Sequence, residues 1–408
     1  MSLERTLRPE KPLSAVEFVV LFSLITSLTA AAIDAMLPAL GEIGRALAVS
    51  DAKNTQLVIS LFVFGMVFGE LLFGPLSDAI GRRRTILLGL AIFCAGSVLA
   101  MTASSMEQML LGRIIQGFGV SGPKIGSRAL IRDKYSGDAM ARIMSYIYMV
   151  FVLVPMLAPA FGQLVMSVAD WRAIFLVYLA MGVIVSLWLM LRQGETLAVE
   201  RRIPLSPASL VRNGRVIVNH RRVMAYILAL GAVFGAKLLY LSTAQSVFQD
   251  IYGAGTRFPL YFALLASGIG VASFSNGLLV MRLGMERLAV YALVAMAGMS
   301  AALLVTAMLH DGQPPFLLFM LICAAIFFCF AILFSNLNAM AMQSLGRVAG
   351  LGASLTSGLS SLIAVGIAVA LGRFYEQSVL PLALGFLLAG LGGLALVLLA
   401  RRSSAAPV

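Results

Sequence analysis

The chain has 408 residues, of which 60% are hydrophobic and only 12% charged, and its formal net charge is +12. Soluble domains carry roughly 25% charged residues, so this composition, with a mean hydropathy of +0.97, excludes a soluble globular protein and identifies an integral membrane one. In that setting the basic excess reads as the positive-inside bias of a multi-pass chain, and no nucleic-acid partner is expected.

Apolar runs of about 20 residues, the length that crosses a bilayer, predict an all-α membrane protein with twelve transmembrane helices. These lie near 17–38, 55–76, 84–103, 106–127, 138–166, 171–191, 222–247, 258–280, 288–309, 314–343, 349–372 and 379–400. The N-terminus (Glu4, Arg5, Arg8, Glu10, Lys11) is polar and the first run is long enough to span, so no cleavable signal is expected. Helix 1 carries Asp34 four residues before Pro38, and helix 2 carries Glu70. Between helices 2 and 3, Gly74-Pro-Leu-Ser-Asp78-Ala-Ile-Gly81-Arg82-Arg83-Arg84 predicts a tight, charged, glycine-hinged loop. Helix 4 holds Arg113, Gln116, Gly117 and Lys124, and helix 5 holds Tyr146, Tyr148, Phe151, Pro155, Pro159 and Gly162. Paired prolines remove backbone donors and bend a helix, whereas glycine lets it pack closely.

The hydrophilic stretch 192–221, rich in arginine and broken by Pro204 and Pro207, reads as a linker between two six-helix bundles, 1–191 and 222–408. A shift of 203 residues lays Gly74 on Gly277, Leu76 on Leu279, Gly81 on Gly284 and Arg84 on Arg287, a weak internal repeat whose second copy has lost the acid and two arginines. Of the 30 lysines and arginines, Arg45, Lys53, Arg172, Arg257 and Arg373 fall on one face and Arg113, Lys124 and Lys237 within helices. The remaining 22 lie on the opposite face, which places both termini in the cytoplasm. Cys94, Cys323 and Cys329 all lie in apolar runs, so no disulfide framework is implied. His220 and His310 stand alone, and neither a metal nor a cofactor is expected.

An ionisable side chain near the bilayer centre costs about 2.5–3.5 kcal/mol on insertion scales, so each one needs a partner, a wet cavity or a route to the surface. Asp34 in the outer half of helix 1 and Arg113 near the outer end of helix 4 lie at similar depth. Arginine stays charged, so any titration in such a pair belongs to the carboxylate. Two readings stand: a proton-loading pair, or a static ion pair locking two helices. Lys237, deep in helix 7, neutralises Asp34, attracts an anionic substrate group, or snorkels outward. Glu70 is a second proton carrier or a brace for the 74–84 segment, and Lys124 is close enough to the inner end of helix 4 to snorkel.

The 74–84 stretch resembles the signature loop between helices 2 and 3 of major facilitator superfamily transporters. Further stretches narrow the likeness: Arg113-Ile-Ile-Gln116-Gly117, Arg132-Asp133, Pro155-Met-Leu-Ala-Pro159-Ala-Phe-Gly162 and Trp171-Arg172. With Asp34–Pro38 they resemble the Bcr/CflA group of drug:proton antiporters, specifically through the first half and more weakly in the second, where Asn276, Asn336 and Asn338 stand. The resemblance implies two bundles with the site between them, and a central cavity lined by helices 1, 4, 7 and 10. It implies a gating role for Gly74, Asp78, Gly81, Arg82, Arg83 and Arg84, a proton-transfer element at Arg113, Gln116 and Gly117, and an antiporter element at Pro155, Pro159 and Gly162, while the proton-coupling roles of Asp34 and Glu70 rest on their buried charge. Relatives commonly have neutral residues where Glu70 and Lys124 stand, which is a departure.

Lys237, Tyr240, Tyr148, Phe151, Phe327 and Asn336 are the candidate substrate contacts, aromatics and methionines suiting a pliable site for bulky apolar compounds. The reading is a monomeric, proton-gradient-driven exporter of small organic compounds, drugs or amphipathic metabolites, in a bacterial inner membrane, working by alternating access. Its partners are a small-molecule substrate and the lipid bilayer. The alternative is a transporter of one anionic metabolite or siderophore-like compound, with Lys237 and Arg113 holding the anion. A membrane enzyme is disfavoured by the two isolated histidines and the want of a long soluble segment.

Overall fold

A computed structural model describes residues 13–206, 214, 215, 217–343 and 349–402. Pro207 and the side chain of Tyr148 therefore lie outside the described residues. Helices account for the regular structure among those described: α1 (Ala15–Asp34), α2 (Leu40–Ala46), α3 (Leu57–Ile80), α4 (Arg82–Met101), α5 (Met106–Lys134), α6 (Gly137–Val168) and α7 (Arg172–Arg192) come first. There follow α8 (Arg221–Ser246), α9 (Phe258–Leu283), α10 (Met285–Leu309), α11 (Phe316–Gln343), α12 (Ala349–Gly372) and α13 (Leu380–Arg402). Eleven stretches among the described residues are long and apolar enough to cross a membrane. The one long helix outside that set is α5, whose 29 residues include Arg113, Lys124, Arg128, Arg132, Asp133 and Lys134. Side chains such as Leu260, Leu264, Val271, Phe274, Leu278 and Met281 form an exposed apolar stripe on α9. Hydrocarbon is the solvent for such a face, because a helix satisfies its own backbone groups there.

Helix ends follow local chemistry. The Ser14 hydroxyl accepts from the Glu17 N–H at 3.1 Å and starts α1. That helix stops at Asp34, short of the predicted 38, because Pro38 has no N–H to extend the ladder; a 3-10 turn, Leu37–Ala39, and the short α2 follow. The loop predicted over 74–84 is almost wholly helical. α3 runs through Gly74 and Pro75 to Ile80, α4 starts at Arg82, and Gly81 alone lies between them with φ +107°. Gly284 separates α9 from α10 in the same way, with φ 77° and ψ 154° against ψ 159° at Gly81. The weak sequence repeat thus recurs as one backbone device, a left-handed glycine joining two helices.

The chain divides into two compact units, one of residues 1–36 with 61–207, the other of 37–60 with 208–408. In the first, α4 and α5 pack along small residues: a Cβ at Gly89 would lie 2.6 Å from the Gly119 carbonyl oxygen, and one at Gly117 would collide with the Phe62 carbonyl of α3. Such glycine faces let membrane helices approach backbone to backbone. In the second unit, α8 packs against α11, α12 and α13. Its interior is aromatic: Tyr240 meets Phe327 edge-on at 4.7 Å and Phe262 at 6.0 Å, and Phe330 joins Phe327 to Phe386. Residues 37–60 also belong here, with Gly41 against Gln245 and Lys53 paired to Glu376 at 3.4 Å.

Candidate functional site

In the first unit, the fully buried Arg113 organises the polar groups. Its Nη2 donates to the Ala32 carbonyl at 2.9 Å, two residues before Asp34, and its Nη1 donates to Gln116 Oε1 at 2.5 Å. Arg113 and Gln116, three apart on α5, share one helix face. Gln116 Nε2 in turn donates to Ser97 Oγ of α4 at 2.7 Å, and the guanidinium carbon lies 4.4 Å from the centre of the Phe62 ring. The Tyr178 hydroxyl of α7 donates to the Ala31 carbonyl at 3.0 Å and stands within electrostatic reach of both Arg113 and Asp34. Asp34, the last residue of α1, is only 5% exposed. Four helices thereby hold a fixed cation against the end of α1, which carries the Asp34 carboxylate. Sequence reasoning paired Asp34 with Arg113 but missed Ser97 and Tyr178, which carry no charge to betray them.

Glu70, on α3 and fully buried, is ion-paired to Lys124 of α5. The snorkelling expected of Lys124 is therefore replaced by a partner inside the bundle. A lysine side chain 23% exposed, facing a carboxylate with no exposure, satisfies that acid better than it would by reaching for the membrane surface.

The third constellation surrounds Gly81. Arg82 Nη1 donates to Asp78 Oδ1 at 2.5 Å and to Ser77 Oγ at 3.1 Å, while its Nε donates to Asp133 Oδ2 at 2.9 Å. Arg83 donates to the Met190 carbonyl, and Arg84 is exposed. Glu195, just beyond α7, covers the junction. Its Oε1 accepts from the backbone N–H groups of Arg82 at 2.8 Å, Thr196 at 3.0 Å and Leu197 at 3.1 Å. A carboxylate at the start of α4 complements that helix end, where unpaired N–H groups concentrate positive charge. The Ile203 N–H donates to the Asp78 carbonyl at 3.0 Å, so residues 195–203 form a strap over the junction. Gly74 takes no part in it as a hinge, being helical interior of α3. The signal for Glu195 was present, an acid within an otherwise arginine-rich stretch, but its target lies far away in sequence.

Of the proposed substrate contacts, Tyr240 and Phe327 are buried in the aromatic interior of the second unit, where their rings meet edge to face. Lys237 is half-buried midway along α8, and Phe151 half-buried on α6. Asn336 is buried, its Nδ2 donating to Asn276 Oδ1 at 2.6 Å and to the Ile332 carbonyl at 2.8 Å. Pro155 and Pro159 both lie within the continuous α6, where Pro159 and Gly162 are buried. No group of three or more His, Cys, Asp or Glu side chains able to hold a metal occurs among the described residues.

Comparison with known proteins matches residues 21–364 to the model of the Major Facilitator Superfamily. A bicyclomycin resistance protein homolog of Haemophilus influenzae is 30% identical over 340 residues, covering 83% of this chain and 84% of that protein. Multidrug resistance protein MdtL of Salmonella dublin is 28% identical over 250 residues, 60% of this chain and 62% of its own. Among solved structures, the xylose transporter XylE from E. coli, in a partially occluded inward open conformation, superposes with a TM-score of 0.73 over 97% of this chain and 99% of its own, at 13% identity.

Proposed function

Since the chain belongs to the Major Facilitator Superfamily, and is accordingly a multi-pass membrane transporter and not an enzyme, we propose that it is a proton-coupled exporter of small organic compounds. The observation that carries this reading is the anchoring of Arg113 to the Ala32 carbonyl, next to the buried Asp34. A cation that cannot deprotonate sets a constant local field, so the charge of Asp34 is the variable. Proton uptake by Asp34 and loading of substrate then exclude one another, and the inward proton gradient drives release outside. Both termini face the cytoplasm, α5 is the twelfth span, and the protein works as a monomer in a bacterial inner membrane. α5 tolerates its charges because Arg113 and Lys124 are met inside the bundle and the others lie toward its ends, Glu107 in the first turn and Arg128, Arg132, Asp133 and Lys134 in the last two. Relatives named for bicyclomycin and multidrug resistance support drugs or similar amphipathic compounds as cargo.

The test uses purified protein in lipid vesicles with an imposed proton gradient and bicyclomycin or ethidium as probe. Wild type accumulates the probe against its gradient and loses that capacity with an uncoupler. Asp34→Asn keeps downhill exchange but loses uphill accumulation. Full uphill transport by that variant would overturn the assignment.

A further inference from the structure

A cavity of about 330 Å³ opens in the second unit, between residues 51–60 and the end of α12. Its size falls at the lower end of small-molecule sites, roughly 300–1,000 Å³. Gln56 is 7% exposed and Ser60 2% exposed, both line it, and neither side chain hydrogen-bonds to a described residue. Their polar atoms are not sealed away but open to this one cavity, where they are available to a ligand with polar groups. Gly372 permits this floor, since a Cβ there would lie 2.6 Å from Gln56 Oε1.

The charges decide what kind of ligand. Lys53 lines the cavity but is already paired with Glu376 at 3.4 Å. Arg373 is exposed and has no acidic partner among the described residues. Asp51 accepts the Lys53 N–H at 2.9 Å, yet no described cation pairs with its carboxylate. Asp51 and Arg373 line the same space without bridging each other. One uncompensated positive and one uncompensated negative group, held apart, are complementary to a ligand carrying both signs, not to an anion.

We propose that this cavity binds a small zwitterion of the amino-acid type, with its carboxylate on Arg373 and its ammonium on Asp51. Gln56 and Ser60 take up the remaining donors and acceptors of the ligand's head. Leu57, Ala368 and Val369 offer an apolar wall for a hydrocarbon side chain. It shares no residue with the Asp34–Arg113 constellation, and its occupancy is measurable without transport, so the two readings fail independently.

The experiment is calorimetric titration of the full-length protein in lipid nanodiscs with four probes: leucine, leucine methyl ester, N-acetylleucine and N-acetylleucinamide. Leucine is expected to bind at least tenfold more tightly than the ester, which lacks the negative charge, or the N-acetyl acid, which lacks the positive one. Arg373→Gln should abolish the preference for leucine over the ester and keep that over the N-acetyl acid. Asp51→Asn, which retains the acceptor for the Lys53 N–H, should do the reverse. Both positions are exposed, and unchanged thermal midpoints establish that the variants fold. Equal affinities for all four probes, no binding by any of them, tighter binding of the N-acetyl acid, or preferences unchanged in both variants would each overturn the proposal.

Discussion

Lys124→Met should destabilise the protein far more than Glu70→Gln, although each removes one member of the same ion pair. Glu70 has no exposed side-chain surface, whereas Lys124 is 23% exposed. Deleting the lysine leaves a carboxylate buried in low dielectric without its cation, a change that costs about 3–5 kcal/mol in buried pairs. Neutralising the acid instead leaves an ammonium on a flexible four-carbon stem, which can swing toward headgroups or water. At about 2–4 °C per kcal/mol for a domain of 150–250 residues, the Lys124→Met midpoint should fall on the order of 10 °C. The double variant Glu70→Met with Lys124→Met removes both charges and fills the space with apolar atoms. Such replacements are often neutral or stabilising by about 1–4 kcal/mol, so it should recover most of the loss. The three native thiols provide the assay: Cys323 and Cys329 are buried and Cys94, on α4 of the affected unit, half-buried. A thiol-reactive dye therefore reports unfolding on heating. If Lys124→Met costs no more than Glu70→Gln, or the double variant loses the sum of the two, the ion pair does not hold α3 to α5.

Two further comparisons use the same assay. Gly81→Ala and Gly284→Ala both place a side chain at positive φ, which costs of order 1–3 kcal/mol. A Cβ at Gly81 also strikes the Glu195 carboxylate while one at Gly284 meets nothing within 4 Å, so Gly81→Ala should be the worse and the gap should close in a Glu195→Ala background. Asn336→Leu should cost about 1–3 kcal/mol by leaving Asn276 without its partner. Adding Asn276→Leu should restore most of that; no recovery would show that the two amides act separately.

The spans were legible because crossing hydrocarbon demands about 20 apolar residues, a requirement that leaves its mark on composition. The buried charges were legible for the converse reason: Asp34, Glu70, Arg113 and Lys124 are expensive at that depth and stand out. Their partners did not stand out. Lys124 meets an acid 54 positions away and Asn336 an amide 60 positions away, and only the packing of α3 on α5, or α9 on α11, brings them together. Local composition misled at 74–80, where Gly74, Pro75, Ser77 and Asp78 read as a turn. Tertiary packing overrides weak propensity, and α3 continues through all four to Ile80. Tyr240 and Phe327 are a different case, since an aromatic at helical spacing has one appearance whether it lines a site or fills a core.

The two copies of the repeat share the glycine joint and little of its chemistry. At the first, Arg82 is held by Asp78 and Asp133, and Glu195 closes over Gly81. At the second, the position matching Asp78 is the exposed Met281, Gly284 is uncovered, and Glu286 pairs instead with Arg401 at 3.0 Å. The same divergence runs through the helices: the first unit concentrates Asp34, Glu70, Arg113 and Lys124, the second an aromatic interior. A proton site needs fixed geometry, because its affinity depends steeply on the distance and solvation of neighbouring charges. Binding of varied apolar cargo needs the opposite, surfaces that repack. On the proposed reading, placing the titrating machinery in one half lets the other change its cargo without disturbing the field at Asp34.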